Sequence, residues 1–273
     1  MFRSLKGWKD LKTSSNCGAP HSYPKVDLTY WSPADALNFG DFLSQVVTDL
    51  MLAKRGMTLA DETTRKYQLL AIGSVLHFAR DGAVIWGTGV NGKVSETKHT
   101  FHHLDVRAVR GPLTRQFLID RGISVPEIYG DPALLLPHLT SNRFVATRSL
   151  GPAFVPNLRD LPELKDVDLT GVPVITPTQS WNRCVNAILA HSFILSSSLH
   201  GIIIAEAYGI PARYVRLTQT EHLFKYEDYY AGTGRQAFAY ATSLAEGIEM
   251  GGERAPVFNP EPLLQTFPYD LWA

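Results

Sequence analysis

Phe193-Ile194-Leu195-Ser196-Ser197-Ser198-Leu199-His200-Gly201, continuing through Ile202–Ile210 to Pro211, holds a complete strand-to-helix junction. An apolar run of strand length stops at three serines. A second apolar run opens with His200 in its first turn and closes at Gly209. Strand, N-cap and helix follow in that order, and Arg213–Val215 supplies the next strand. Upstream, Trp181–His191 has a helical repeat, and Ala153–Val155 and Val174–Ile175 are short apolar strands. The same alternation occupies the first half of the chain. Val26–Tyr30, Leu69–Ile72, Ala83–Trp86 and Asp105–Val109 read as strands, Phe42–Lys54 and Pro112–Arg121 as helices, and Asn38-Phe39-Gly40-Asp41 as a turn with an N-cap. Strand, helix and strand twice over predict an α/β protein with two parallel-sheet units. The expected division is an N-terminal segment 1–25, a unit 26–140 and a unit 141–273. Ligands are expected in the cleft outside the carboxyl ends of the strands.

Composition narrows the function. The 273 residues hold 26 basic and 26 acidic side chains, 45% hydrophobic and 19% charged. A net charge of zero speaks against a nucleic-acid partner, which would need a basic surplus. Two cysteines, Cys17 and Cys184, suffice neither for a disulfide framework nor for a zinc site, so a cytoplasmic, reducing setting is expected. The longest apolar stretch is far short of the ~20 residues of a membrane span, and charges interrupt any signal-peptide core near the start. Residues 1–12 carry Arg3, Lys6, Lys9 and Lys12 against Asp10, hence +3, which leaves −3 for the remainder. Met1, Leu5, Trp8 and Leu11 share one helical face. Such a segment suits an anionic membrane surface or is a frayed, solvated terminus.

Two motifs point the wrong way. Gly87-Thr88-Gly89-Val90-Asn91-Gly92-Lys93 satisfies Gly-x-Gly-x-x-Gly and nearly a phosphate-binding P-loop, but no apolar helical stripe follows, and Val94 stands where a hydroxyl must hold magnesium. A substrate-facing loop is expected instead. His99, His102 and His103 lie in a loop without a matching carboxylate, so no metal site is expected and the imidazoles are read as solvated.

The chemistry concentrates elsewhere. A helix opening at Ser198 with His200 in its first turn gathers free backbone N–H groups, hydroxyls and an imidazole, which suits an anion such as phosphate; the alternative is plain capping and packing. Phe224-Lys225-Tyr226-Glu227-Asp228-Tyr229-Tyr230 mixes aromatics and carboxylates as a sugar-binding surface does, or is a capped, exposed segment. Arg110, at a strand end before a helix, can grip a carboxylate or phosphate bidentately, or is a surface ion-pair residue.

Asn38-Phe39-Gly40-Asp41, Val109-Arg110-Gly111-Pro112, Gly130-Asp131-Pro132, Ser198-Leu199-His200-Gly201 with Ala205–Pro211, and Lys225–Tyr230 together resemble the polysaccharide pyruvyltransferase family, with the ketal pyruvyltransferases of xanthan biosynthesis as the nearest branch. The resemblance runs in order from about residue 38 through most of the chain. It implies two Rossmann-like domains facing across a cleft, as in GT-B glycosyltransferases. It also implies transfer of the enolpyruvyl unit of phosphoenolpyruvate to a sugar as a cyclic ketal. The Arg110, His200 and Lys225 positions are those it assigns to the donor. Two departures stand out: many relatives have Arg-Leu-His where this chain has Ser198-Leu199-His200, and near relatives have histidine at the position of Asn157.

The resulting expectation is a transferase with His200 as general acid/base, since imidazole ordinarily titrates near ~6.5, and Asp41 or Asp131 activating a sugar hydroxyl. Arg110, Ser198, Leu199, His200 and Lys225 are expected at phosphoenolpyruvate, and Asn38, Tyr226, Asp228 and Tyr229 at the acceptor. No metal or cofactor is expected. The acceptor is expected to be a lipid-linked oligosaccharide carrying a terminal mannose, ketalised at its 4,6-hydroxyls. With that acceptor the basic N-terminal segment is read as a peripheral attachment to the inner face of the bacterial inner membrane. The rivals are a GT-B glycosyltransferase using a nucleotide sugar and a non-catalytic sugar- or membrane-binding protein.

Overall fold

A computed structural model describes residues 23–33, 36–169, 171–219 and 221–273. The basic segment 1–12 and Cys17 lie outside the described residues. Strands β1 (Val26–Leu28), β2 (Tyr67–Leu70), β3 (Ala83–Trp86) and β4 (Leu104–Ala108) form one parallel sheet in the order β1-β2-β3-β4. Strands β5 (Leu150–Val155), β6 (His191–Ser196) and β7 (Ala212–Tyr214) form a second, also parallel, in the order β5-β6-β7. The chain is therefore α/β with parallel sheets. Helix α1 (Phe39–Ala53) follows β1, α2 (Pro112–Ile119) follows β4, and a 3-10 turn at Pro132–Leu135 runs into the short α3 (Leu136–Leu139). In the second half α4 (Trp181–Ala190) precedes β6 and α5 (Leu199–Ala207) joins it to β7; α6 (Phe224–Gly232), α7 (Leu244–Met250) and α8 (Glu261–Gln265) come after.

Local sequence accounts for these boundaries. Asn38 caps α1 by accepting from the Gly40 amide, and Pro112 opens α2, where its missing N–H costs nothing. Gly87 ends β3 at φ +94°, a conformation that side chains rarely adopt, and Pro132 packs where its Cβ would be. Helix α5 is apolar on nearly every side, and Leu199–Glu206 is buried throughout, as an all-round apolar helix must be. Its Glu206 is held by two hydrogen bonds from Arg235 at 2.6 and 2.9 Å and one from Tyr229 Oη at 2.6 Å.

One apolar cluster spans both sheets. It runs from Leu43 and Val47 on α1 through Leu134–Leu136 to Ile188 on α4 and Ile202–Ile204 on α5. The chain's last described segment crosses back to the first sheet. Trp86 Nε1 donates to Leu263 O at 3.0 Å, Phe267 meets the Trp86 ring edge-on at 4.8 Å, and Tyr269 Oη donates to Met51 O at 2.7 Å. Helix α6 likewise packs on α2, where Asp228 accepts from the Thr114 amide at 2.9 Å and its hydroxyl at 2.6 Å. Among the described residues, no helix is long and apolar enough to cross a membrane.

Three local expectations are corrected. Phe224–Gly232 is a helix with Lys225, Tyr226, Asp228, Tyr229 and Tyr230 buried, not an exposed segment; it lacks an amphipathic pattern because partners surround it. His99 is buried rather than solvated, against Phe117 at 4.8 Å and Phe101 at 6.0 Å. Arg110 is no surface residue either: it and Asp228 are both fully buried.

Candidate functional site

The loops leaving the carboxyl ends of β1, β2, β3, β5, β6 and β7 converge on one open cleft. Parallel strands put the same end of every ladder on one side, so these loops meet there. Asn38 and Asp41 come from the start of α1, Asn91 and Lys93 from the glycine-rich loop after β3, and Arg159 from the loop after β5. Ser198, Leu199 and His200 enter at the start of α5, Lys225 from α6, and Glu221 from the segment just before it.

The α5 entry is pinned from below. Ser196 Oγ donates to Val155 O at 2.7 Å and accepts from the Ser198 amide at 3.0 Å, and Ser197 Oγ accepts from the Asn157 amide at 2.8 Å. Ser198 takes the N-cap position, but its hydroxyl makes no capping bond. The first-turn N–H groups at Leu199, His200 and Gly201 have no acceptor within the helix and carry its positive end. His200, 8% exposed, is pressed against the start of α1, so that a Cβ on Gly40 would overlap its ring. Its Nε2 lies 3.7 Å from Asp131 Oδ2, and neither atom has a hydrogen-bond partner among the described residues. Asp131 Oδ1 is already engaged, accepting from the Ala133 amide at 3.0 Å.

Electrostatics divide the cleft. Burial, with Asp131 acting in the same direction, pushes the Asp41 carboxyl up to about 6 against the pull of His200, Lys225 and its Asn38 hydrogen bond. Burial lowers the Lys225 ammonium, with Glu221 opposing. Glu221 itself is held below the usual carboxylate range: burial would raise it, but Lys225 at 2.6 Å and Lys93 together outweigh that. Both lysines thus share one carboxylate, while the Arg159 guanidinium faces the cleft with no carboxylate of its own among the described residues. Lys93, Arg159 and Lys225 share the cleft with the carboxyls of Asp41 and Glu221, with Asp131 behind His200.

Of the expected site residues, Asn38, Asp41, Ser198, Leu199, His200 and Lys225 line this cleft, and Asp131 stands behind His200. Arg110, Tyr226, Asp228 and Tyr229 do not. Arg110 donates through Nε to Asp228 at 3.0 Å, through Nη1 to Ser74 Oγ at 2.6 Å and through Nη2 to Val90 O at 2.7 Å. Tyr226 Oη donates to Ser197 O at 2.7 Å, beneath the α5 entry. Lys93, Arg159, Glu221 and Trp31 were not singled out from sequence. The Glu221–Lys225 spacing of four is a legible ion-pair signal, and Lys93 ends the loop read as substrate-facing. Nothing in the local sequence marks Trp31 or Arg159.

Among the described residues no three His, Cys, Asp or Glu side chains are grouped as a metal site needs. Succinoglycan biosynthesis protein ExoV of Rhizobium meliloti (strain 1021) is 27% identical over 209 residues, which are 73% of this chain and 62% of that protein. The chain thus matches less than two thirds of that relative's length. The sequence profile of the polysaccharide pyruvyl transferase family matches residues 20–217. That match takes in both sheets and every cleft residue named above except Glu221 and Lys225, and the chain belongs to the polysaccharide pyruvyl transferase family.

Proposed function

We infer that this chain transfers the pyruvyl unit of phosphoenolpyruvate to a sugar of an exopolysaccharide repeat unit, closing a cyclic ketal and releasing phosphate. The observation that carries it is the convergence of His200, Asp41 and three cations at a helix N-terminus in one cleft. Family membership and the resemblance to a succinoglycan biosynthesis protein support the same reading. Phosphoenolpyruvate is a small polyanion, so its pocket needs cations and N–H donors; Lys225, Lys93, Arg159 and the α5 entry supply them.

The reaction breaks two sugar O–H bonds and forms two ketal C–O bonds. One proton ends on the methylene carbon, which becomes a methyl group; the other leaves with phosphate as its C–O bond breaks. His200, which lines the cleft with Asp131 Oδ2 3.7 Å behind its Nε2, donates at the methylene carbon. Asp41, poised near neutral pH and close to His200, accepts the proton of the attacking hydroxyl. Asp131 positions the imidazole. Arg110 acts on the site from behind, through Ser74, by holding the β3 loop against α6.

The finer picture is two Rossmann-like halves, 26–140 and 141–273, facing across this cleft in GT-B fashion, with α6 and the C-terminal segment reaching back over the first. The acceptor is a lipid-linked oligosaccharide ketalised at the 4,6-positions of a terminal mannose. Residues 1–12 would hold the enzyme at the cytoplasmic membrane face where such acceptors sit. Mass spectrometry of lipid-linked oligosaccharides after incubation with phosphoenolpyruvate tests the reaction. One added pyruvyl group, with phosphate release that requires both acceptor and His200, is expected. Binding of nucleotide sugars but not of phosphoenolpyruvate would instead make the chain a glycosyltransferase.

A further inference from the structure

The cleft has a second wall that donor chemistry does not use. Trp31, His77 and Phe78 line it alongside the charged residues. Phe78 is 39% exposed, although large apolar side chains are ordinarily covered. Trp31 is only partly buried, and among the described residues its indole has neither a ring partner nor a hydrogen bond at Nε1. A small polyanion has no extended apolar face to lay on these rings and is drawn to the cations.

The wall is built, not incidental. Gln68, itself buried, donates through Nε2 to Thr29 Oγ1 and to Phe78 O, both at 3.0 Å, and accepts from the Arg80 amide at 2.8 Å. One side chain thereby clamps the segment leading to Trp31 beside the segment carrying Phe78. The Phe78 ring rests on His77 at 4.2 Å, and His77 on His99 at 6.2 Å, which is seated on Phe117 and Phe101. Aromatic surface held this firmly loses little freedom when a ligand lies on it. In the same cleft Asn91 Oδ1 is buried without a partner among the described residues, while Asn91 Nδ2 is committed to Ser74 O at 3.4 Å. A buried, unpaired amide oxygen in a cleft that these rings also line matches a ligand with an apolar C–H face and a hydroxyl rim.

We propose that Trp31 and Phe78 are the platform on which a hexopyranose ring of the acceptor stacks, with Asn91 Oδ1 accepting from one of its hydroxyls. This rests on the pyruvyl-transfer reading of the same cleft and moves acceptor recognition from Tyr226, Asp228 and Tyr229, which are buried, to the opposite wall.

Saturation-transfer NMR with methyl α-mannoside, α-glucoside and α-galactoside in the presence of phosphoenolpyruvate tests it, with donor affinity followed separately by calorimetry. At least one pyranoside should show transfer concentrated on the C–H protons of one ring face. Trp31→Ala and Phe78→Ala should each weaken its binding about tenfold or more, equivalent to about 1.4 kcal/mol, with phosphoenolpyruvate affinity unchanged. Trp31→Phe should restore most of the loss, and Phe78, being exposed, can be replaced without disturbing the fold. Pyranoside binding that survives both alanine variants overturns the platform, as does a wild-type chain that binds phosphoenolpyruvate and no pyranoside. A chain that binds pyranosides through Trp31 but never phosphoenolpyruvate keeps the platform and overturns the transferase reading.

Discussion

Replacing Arg110 by methionine should unfold this protein more readily rather than empty its donor site. Both members of the Arg110–Asp228 pair are completely buried, with Nη2 2.9 Å and Nε 3.0 Å from Asp228 Oδ2. Methionine matches the stem but leaves Asp228 without its counter-charge and Val90 O and Ser74 Oγ without a donor. Removing one partner of a buried ion pair costs about 3–5 kcal/mol. At roughly 2–4 °C per kcal/mol for a chain of about this size, Tm should fall by about 6–20 °C. Thr114 still donates twice to Asp228, which favours the lower half of that range. Asp228→Asn in the Arg110→Met background removes the stranded charge and keeps an acceptor for Thr114. The double variant should therefore recover stability, and the double-mutant cycle should be non-additive by more than about 1 kcal/mol. Guanidinium unfolding supplies the energies, and calorimetry on the folded variants supplies phosphoenolpyruvate affinity. An Arg110→Met protein with the wild-type Tm and no donor binding would refute the reasoning, because the guanidinium would then belong in the cleft.

The other expectations concern the cleft itself. Asp41, held at about 6 rather than its ordinary 3.8 chiefly by burial, binds its proton more tightly folded than unfolded, so it lowers stability as pH rises through that window. Asp41→Asn should match wild type near pH 4 and exceed it by up to about 3 kcal/mol above pH 6; a difference that does not grow with pH in urea unfolding would contradict this. Gly40→Ala pushes a methyl group into the His200 ring and should cost about 100-fold in turnover, since misplacing a catalytic group by about 1 Å has that effect, together with about 1–3 kcal/mol of stability from the overpacking. Arg159→Ala should raise the dissociation constant for phosphoenolpyruvate about tenfold or more by deleting a charge-assisted bond, while leaving pyranoside binding intact.

Elements whose cues are local were legible before the structure. Ala83–Trp86 is a strand with the bounds read from sequence, and the strand-to-helix junction at Ser198 puts His200 in the first turn of α5 as expected, although the Ser198 hydroxyl does not cap it. Partners far along the chain were not. Arg110 and Asp228 are 118 residues apart and Trp86 and Leu263 are 177 apart, and no periodicity reveals such pairings. Lys225 lines the cleft as expected, but the burial of Tyr226, Asp228, Tyr229 and Tyr230 is hidden for the same reason. The charges and hydroxyls of Lys225–Tyr230 look solvent-bound until Glu221, Arg110, Ser197 and Glu206 surround them. Trp31 and Arg159 carry no motif because their part is defined only by what shares the cleft.

The return of residues 261–272 over the first sheet has a consequence for how the protein is made. Trp86 leaves the ribosome 177 residues ahead of Leu263, roughly 10–35 s at ordinary rates of synthesis. Through that interval Trp86 lacks its Leu263 hydrogen bond and its Phe267 ring contact, and Met51 lacks the tyrosine that later binds its carbonyl. A ribosome stalled before residue 261 holds out a first sheet without these contacts, so they form after every strand of both sheets has been made.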